Sequence, residues 1–411
     1  MYKDAGVIRK ILAWSMVGVL WPAFAVAQSA PDAPDPETVH VRVGPFWIRP
    51  TLALTDVGID TNVFNVAESD SPESDFTMTF TPAARVWMGL GSTWISGDVT
   101  EGLVWYKEFS SERSANTSFN LGWFVPLSRM TLTASGKWTR TRERPGYEID
   151  ERADRSERGF GGTVELRVLS KTFIGVRADR RSVDFDEGEV FLDTNLHDEL
   201  NRTQTTGSVT LRHELTPLTS LTLDASRIQD RFDFSSLRDA DSTQVSAGVA
   251  FTPDALISGS AKVGYRDFNP IDSSLPEFRG SIAAVNLSYV AGDTTKFAFQ
   301  GGRDVQFSFD VDQPYYLLTG ITLSVTQQLF GPVDVEGRLT RQRLSYRDRE
   351  GASVEVADRV DRVRILGAGV GYRLREDLRM GFDVDHQKRD SEVEGRSYSG
   401  MRYGGSVTYG F

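Results

Sequence analysis

The amino-acid sequence predicts an all-β fold: a transmembrane antiparallel up-and-down β-barrel of about 18 strands. Three observations predict it. Apolar residues recur at every second position over long stretches, the connections between those stretches alternate between short and long, and the chain ends on an alternating strand with an aromatic last residue. Successive side chains of a strand point to opposite faces, so this period puts one apolar face against lipid and one polar face against water. No apolar set recurs at helical spacing over a helix's length.

Residues 1–27 read as a secretion signal. Lys3, Arg9 and Lys10 form a basic start, an apolar stretch follows to Phe24, and Ala25-Val26-Ala27 is a small-x-small site, so cleavage is expected between Ala27 and Gln28. The apolar stretch is short for a membrane anchor and is soon followed by Pro31 and Asp32; an uncleaved anchor is the alternative. A Pro- and Asp-rich periplasmic leader is expected over 28–43 and the barrel over 44–411.

Composition narrows the class. There is no cysteine, so no disulfide braces an exported chain. The net charge of −11 becomes −13 once three basic groups and one acidic group leave with the signal. That acidic, unclustered balance argues against nucleic acid as a partner. Acidic runs such as Glu68–Asp75 and Asp184–Glu189 fall between candidate strands, where they serve solubility or, through divalent cations, face lipopolysaccharide.

The strands follow in order. Phe46, Ile48, Pro50, Leu52 and Leu54 share one face, and Phe76 to Val86 alternate strictly. Met130 to Trp138 alternate with Thr131 to Thr139, and Phe160 to Val168 with Thr163, Glu165 and Arg167. Val245 to Phe251 and Leu378 to Val384 repeat the pattern. Eight tight connections, near 89–92, 126–129, 169–171, 216–219, 253–255, 291–293, 330–332 and 375–377, carry the Gly, Pro, Asp and Ser that short turns need. The others, including 57–73, 144–156, 185–202 and 348–358, are longer and charged. Short periplasmic turns and longer outer loops are the transmembrane-barrel arrangement. Eight tight turns give 18 strands, with 16 as the alternative. A soluble propeller or β-helix would show a blade motif or short repeat, and none is found.

The last strand carries a barrel-assembly signal. Tyr403, Tyr409 and Phe411 share one face, as in the closing strands that the barrel assembly machinery of Gram-negative outer membranes reads; Ser406 stands where that signal usually has glycine.

The face opposite the lipid carries charge of both signs: Arg49, Arg85, Lys137, Glu165, Arg167, Arg177, Asp179, Arg212 and Glu214 in the first half. Asp224, Lys262, Lys296, Glu336, Arg338, Arg373, Arg379 and Asp383 continue it. An Arg or Lys on the lipid face at the midplane costs roughly 2–4 kcal/mol, so these residues are expected to line the interior. Cross-strand Arg–carboxylate ladders would brace the wall while together making a hydrated lumen. No plug domain precedes the first strand; loops 185–202 and 57–73 are the candidates for narrowing the pore.

Enzyme chemistry is not predicted, and neither a cofactor nor a metal. His40, His197, His213 and His386 are scattered, and there is no nucleophile elbow, metal-spaced cluster or phosphate loop. Asp383 and Asp385 point inward while His386 points out, so they do not converge. Trp105, Tyr106, Trp123, Trp138, Tyr289 and Tyr372 read as interface girdles. Trp47 points inward, where it would suit a sugar slide.

Gly58-Ile-Asp-Thr-Asn-Val-Phe64 resembles the Gly-x-Asp-x-Asn-Val-aromatic element of the putative β-barrel porin 2 family of bacterial outer-membrane proteins. Gly367-Ala-Gly-Val-Gly-Tyr-Arg-Leu374, Arg389-Asp-Ser391 and the closing aromatic strand are similar too. The resemblance implies a porin-like barrel of the outer membrane, in several cases associated with exopolysaccharide synthesis and export, and assigns no catalytic residue. Two readings stay open. One is a channel, for polysaccharide among other solutes, working with periplasmic and inner-membrane export proteins. The other is a closed structural or assembly barrel that binds secretion partners.

Overall fold

The computed structural model describes residues 39, 41–253, 255–292 and 294–410. The expected signal, its Ala27–Gln28 cleavage point, His40 and Phe411 lie outside the described residues. Eighteen long antiparallel strands form one closed sheet. The first nine are β1 Phe46–Asp60, β2 Asp75–Leu90, β3 Thr93–Tyr106, β4 Ser114–Pro126, β5 Met130–Glu143, β6 Ala153–Leu169, β7 Thr172–Phe185, β8 Arg202–Thr216 and β9 Thr219–Phe232. The rest are β10 Ala240–Phe251, β11 Ile257–Pro270, β12 Phe278–Ala291, β13 Thr295–Phe307, β14 Tyr315–Phe330, β15 Val333–Arg347, β16 Val360–Arg375, β17 Leu378–Asp390 and β18 Tyr398–Tyr409. Each pairs with the next. The count is 18, not 16, and the eight tight turns fall where the sequence puts them. A short strand, Val41–Val43 in the expected leader, folds back on β1 through Gly44, and Val190–Phe191 pairs with Thr194–Asn195 in the β7–β8 loop.

The wall follows from the period of two. Exposed Phe119, Leu121 and Trp123 of β4, Val209 and Leu211 of β8, and Leu221 and Leu223 of β9 form outward apolar rows. Among the described residues no helix is long and apolar enough to cross a membrane, which says nothing of a β-barrel.

Closure joins β1 to β18, with Leu52 opposite Tyr409 and Ile59 opposite Tyr403. The register shifts between Leu54 and Val57, where Asp56 takes φ 54°. A Cβ at Gly58 would collide with the Tyr403 carbonyl oxygen, so glycine permits this approach.

The outer ends of β13 and β14 leave the wall. Pairing of β12 with β13 stops at Ala283 and Arg303, whereas β13 and β14 stay paired up to Phe307 and Tyr315. Beyond that point Val305, Tyr315 and Leu317, outward by parity, pack on the inward Phe268, Phe278 and Ile282. The hairpin therefore leans into the barrel, and its other face, Tyr316 and Leu318, packs on Leu344 and Tyr346. The apolar core of this molecule sits inside the outer end of the cylinder.

Candidate functional site

The structure places all sixteen expected lining residues, and Asp224, on the face opposite the exposed apolar rows. Most pair along the wall. Arg85 bonds Asp98, and Arg177 lies 2.5 Å from Asp179. Arg212 bridges Glu165 at 2.6 Å and Glu214 at 2.8 Å, and Lys262 meets Asp224 at 2.9 Å. Arg338 reaches Asp385, and Arg379 reaches Asp334, each at 2.6 Å. The Arg338–Asp385 bond crosses β16 at Gly367, which stands opposite both in the register. A Cβ there would strike the Asp385 carboxylate, so glycine lets the pair lie flat on the wall. Arg167 stacks over Phe173 with its guanidinium 5.3 Å from the ring centre. Lys137 stands opposite Gly159, Asp383 opposite Gly369 and Arg373 opposite Arg379, while Arg49 faces Arg85 and Lys296 lies near Glu336. Half-exposed pairs of this kind contribute up to about 1 kcal/mol each, so the array braces the wall and keeps it wet.

The outer end is different, because its polar groups are buried. Residues 144–152, between β5 and β6, cross the lumen to β16 and β17, six to seven strands from β5 by the shorter route round the wall. Arg389 of β17, fully buried, donates to the Tyr147 carbonyl at 3.2 Å, the Glu148 carbonyl at 3.0 Å and the Asp150 carboxylate at 2.7 Å, and also to Asp361. Arg396 donates to Asp150 at 3.2 Å. Residues 308–314, the tip of the leaning hairpin, cross from the other side. Ser308 Oγ donates to Glu148 at 2.6 Å, and Phe309 packs with Ile149, Phe191, Leu196 and Leu200. Arg238, fully buried, holds that tip by donating to the carbonyls of Ser308, Phe309 and Pro314 and to Glu199. Leu196 and Leu200 lie on the single-turn helix α1, Leu196–Leu200, in the β7–β8 loop. Burial pushes the Glu148 carboxyl up to about 7, against the opposing pull of the Ser308 hydroxyl and of Arg359, Arg396 and Arg389.

Loops 185–202 and 57–73 do fold inward: Phe191, Leu196 and Leu200 are buried, and Val63 accepts from Arg144 at 2.6 Å. The chief crossing segments, 144–152 and 308–314, are not legible in the sequence, because a loop's direction leaves no period in the chain. The one legible trace is Arg389, a cation on the inward parity of its strand.

At the short-turn mouth the inner wall is aromatic. Trp47 of β1 stands opposite Trp87 of β2, and Trp94 of β3 packs edge-on to Trp47 at 6.4 Å between ring centres. Arg42 lies 4.6 Å from the Trp47 ring, and Arg85 lies 5.9 Å from that of Trp87. Tyr106, expected in a girdle, is instead buried inside the outer end, where it accepts from Arg152 at 2.7 Å; the bulky outward residue beside it is Trp105. His386 faces outward, within 3.1 Å of Ser399, away from the inward Asp383 and Asp385. Among the described residues no group of three or more His, Asp or Glu is placed to hold a metal ion.

The family model described as Putative beta-barrel porin 2 matches residues 34–411. No curated protein matches the chain. Among solved structures it is similar to OccK2 (OpdF) of Pseudomonas aeruginosa, 10% identical, with a TM-score of 0.46 over 88% of this chain and 97% of that one. A BenF-like porin of Pseudomonas fluorescens Pf-5 is 8% identical, with a TM-score of 0.47 over 89% and 98%. The outer membrane protein opdK of Pseudomonas aeruginosa is 11% identical, with a TM-score of 0.45 over 88% and 98%.

Proposed function

This chain belongs to the putative β-barrel porin 2 family, and from that premise we propose that it is a gated channel of the bacterial outer membrane for a polyhydroxylated polymer, an exopolysaccharide strand. The observation that carries the polymer reading is the inward set Trp47, Trp87 and Trp94 at the short-turn mouth. Sugar rings present apolar C–H faces that stack on indoles, and the flat rings add little ordering cost. Arg42, Arg49 and Arg85 beside them suit a chain bearing acidic substituents, which guanidinium binds in bidentate fashion. Beyond the mouth the wall is polar and wet, so a hydrated polymer slides without dehydrating.

In this reading the signal segment 1–27 exports the chain and the assembly machinery inserts it through the terminal strand. Periplasmic and inner-membrane export proteins deliver the polymer to the mouth, and lipopolysaccharide surrounds the outer rim. We assign no catalysis to it. The second reading, a closed barrel that binds secretion components, draws on the interlocked loops at the outer end, which we take as a resting gate.

Planar-bilayer recording of the purified protein tests the choice. Brief openings are expected from the wild type and sustained ones from Arg389→Gln, which leaves Asp150 and Asp361 facing each other without their shared cation. A folded barrel silent in both forms would overturn the channel in favour of the structural reading.

A further inference from the structure

Rows of like charge stand on the outward face of β13 to β17, just above the apolar band. Arg341 lies directly opposite Arg364, and Arg364 directly opposite Lys388. One row higher, Arg343 faces Arg362. Arg303 completes the higher row on the far side of Thr319. All share the parity of the exposed Ile321, Leu366 and Met380. Directly opposed residues sit about 5 Å apart, where like charges repel and destabilise the pairing.

Elsewhere on the rim outward arginines stand beside carboxylates. Arg227 and Arg231 share Asp241, each at 2.8 Å, and Arg279 meets Asp267 at 3.1 Å. In this sector Arg341, Arg343, Arg362 and Arg364 make no hydrogen bond or ion pair with any described residue. Lys388 pairs with Asp390 at 2.8 Å, and Asp390 stands directly opposite Arg362 in the register. Among the described residues Asp390 is thus the one carboxylate in the two rows, against the six cations Arg303, Arg341, Arg343, Arg362, Arg364 and Lys388, and the patch keeps a strong positive excess.

Height decides what supplies it. From Leu374, the outward apolar residue at the short-turn end of β16, to Arg364 is ten residues. That is about 33 Å along the strand and, at a tilt near 40°, about 25 Å along the membrane normal, the height of a barrel's apolar band. Arg364 therefore stands at the headgroup level of the outer leaflet. Beside the rows, where the β13–β14 hairpin leaves the wall, Arg303, Arg343, Arg347, Ser345 and Asp358 line a cleft of about 280 Å³.

We infer that this face is a binding site for the phosphate groups of outer-leaflet lipopolysaccharide, with Arg341, Arg343, Arg362 and Arg364 as the ligating side chains. Guanidinium binds phosphate in bidentate fashion, and a doubly phosphorylated headgroup spans two adjacent rows. The acyl chains then lie on the apolar rows of β14 to β17 below. The inference rests on the outer-membrane reading and is independent of what the lumen conducts.

Native mass spectrometry of the detergent-purified full barrel, titrated with bisphosphorylated lipid A, tests it. The variant R343Q/R362Q/R364Q is expected to bind at least tenfold more weakly than wild type, and dephosphorylated lipid A to bind both equally weakly. Unchanged affinity in the variant overturns the site, as does phosphatidylglycerol binding the wild type as tightly as lipid A. If the triple variant fails to fold, R362Q and R364Q singly are each expected to weaken binding about threefold, and no change in either counts against the site. Planar-bilayer conductance of the same variants should not change, so failure of this inference and failure of the channel reading give different results.

Discussion

Asp60, the last residue of β1, accepts a 2.6 Å hydrogen bond from Arg402 of β18, and this pair fastens the seam where the cylinder closes. The rest of the Gly58–Phe64 element works toward the same end. Asn62, buried, donates to the Ser399 carbonyl of β18 at 3.0 Å and shares a pair of bonds with Val66. Val63 is fully buried, and Phe64 packs edge-on to Phe109 at 4.9 Å. The element that marks the family in the sequence is thus the latch that ties the first strand to the last.

Asp60→Ala is therefore expected to weaken closure. It leaves Arg402 without its carboxylate and strips the Asn62 backbone N–H of its side-chain acceptor. A loss of about 1–3 kcal/mol is expected, below the full value for a wholly buried pair because Arg402 is partly exposed. Urea titration in liposomes measures it, and the Asp60→Ala/Arg402→Ala double variant should be less than additive. Simple additivity would mean that the pair contributes nothing of its own.

The gate should respond to pH through Glu148. Its carboxyl is pushed up to about 7 from an ordinary 4.5, so the closed arrangement favours the neutral form. The penalty for the charged form is absent below the ordinary value, grows between the two, and is complete above about 7. Openings should become more frequent as pH rises through 7, and Glu148→Gln should hold the channel closed at every pH. A wild type whose open probability is flat from about pH 5 to 9 contradicts this.

Trp47→Ala with Trp87→Ala removes two of the three indoles at the mouth while leaving the wall intact. Added acidic oligosaccharides should interrupt the current of the wild type, and their apparent affinity should fall about tenfold or more in the variant, on the order of 1–3 kcal/mol. Equal block in both forms would place sugar contact elsewhere.

Phe411→Ala should lower the amount of barrel in the outer membrane without reducing export across the inner membrane. Fractionation followed by immunoblotting reads both quantities, and normal outer-membrane levels would remove Phe411 from the assembly signal.

Gly367→Val should displace the Arg338–Asp385 bond by filling the space over which it lies. A cost of about 1–2 kcal/mol and a change in ion selectivity are expected, because a charged pair leaves the wall for the lumen. Reversal-potential measurement in a salt gradient checks the second point.

Period-two patterning determined the cylinder by itself. One apolar face per strand has to meet lipid, so the alternation dictates which way Arg338, Lys262 or Trp47 points, and the turn residues dictate where each strand stops. Those are local constraints, written within a few residues of one another. The outer closure is not local. Glu148 meets Ser308 across 160 positions of sequence and Arg238 meets Pro314 across 76, and neither loop carries a repeat that announces its direction. The leaning of β13 and β14, which reverses the face shown by Tyr315 and Leu317, follows from a strand losing its neighbour at Arg303. The stacked cations of β15 and β16 likewise emerge only from strand register, since a one-residue shift would send Arg362 and Arg364 inward. Side-chain direction along a strand is a property of adjacent peptides; which distant segments share the interior is decided by what remains to be buried once the wall has closed.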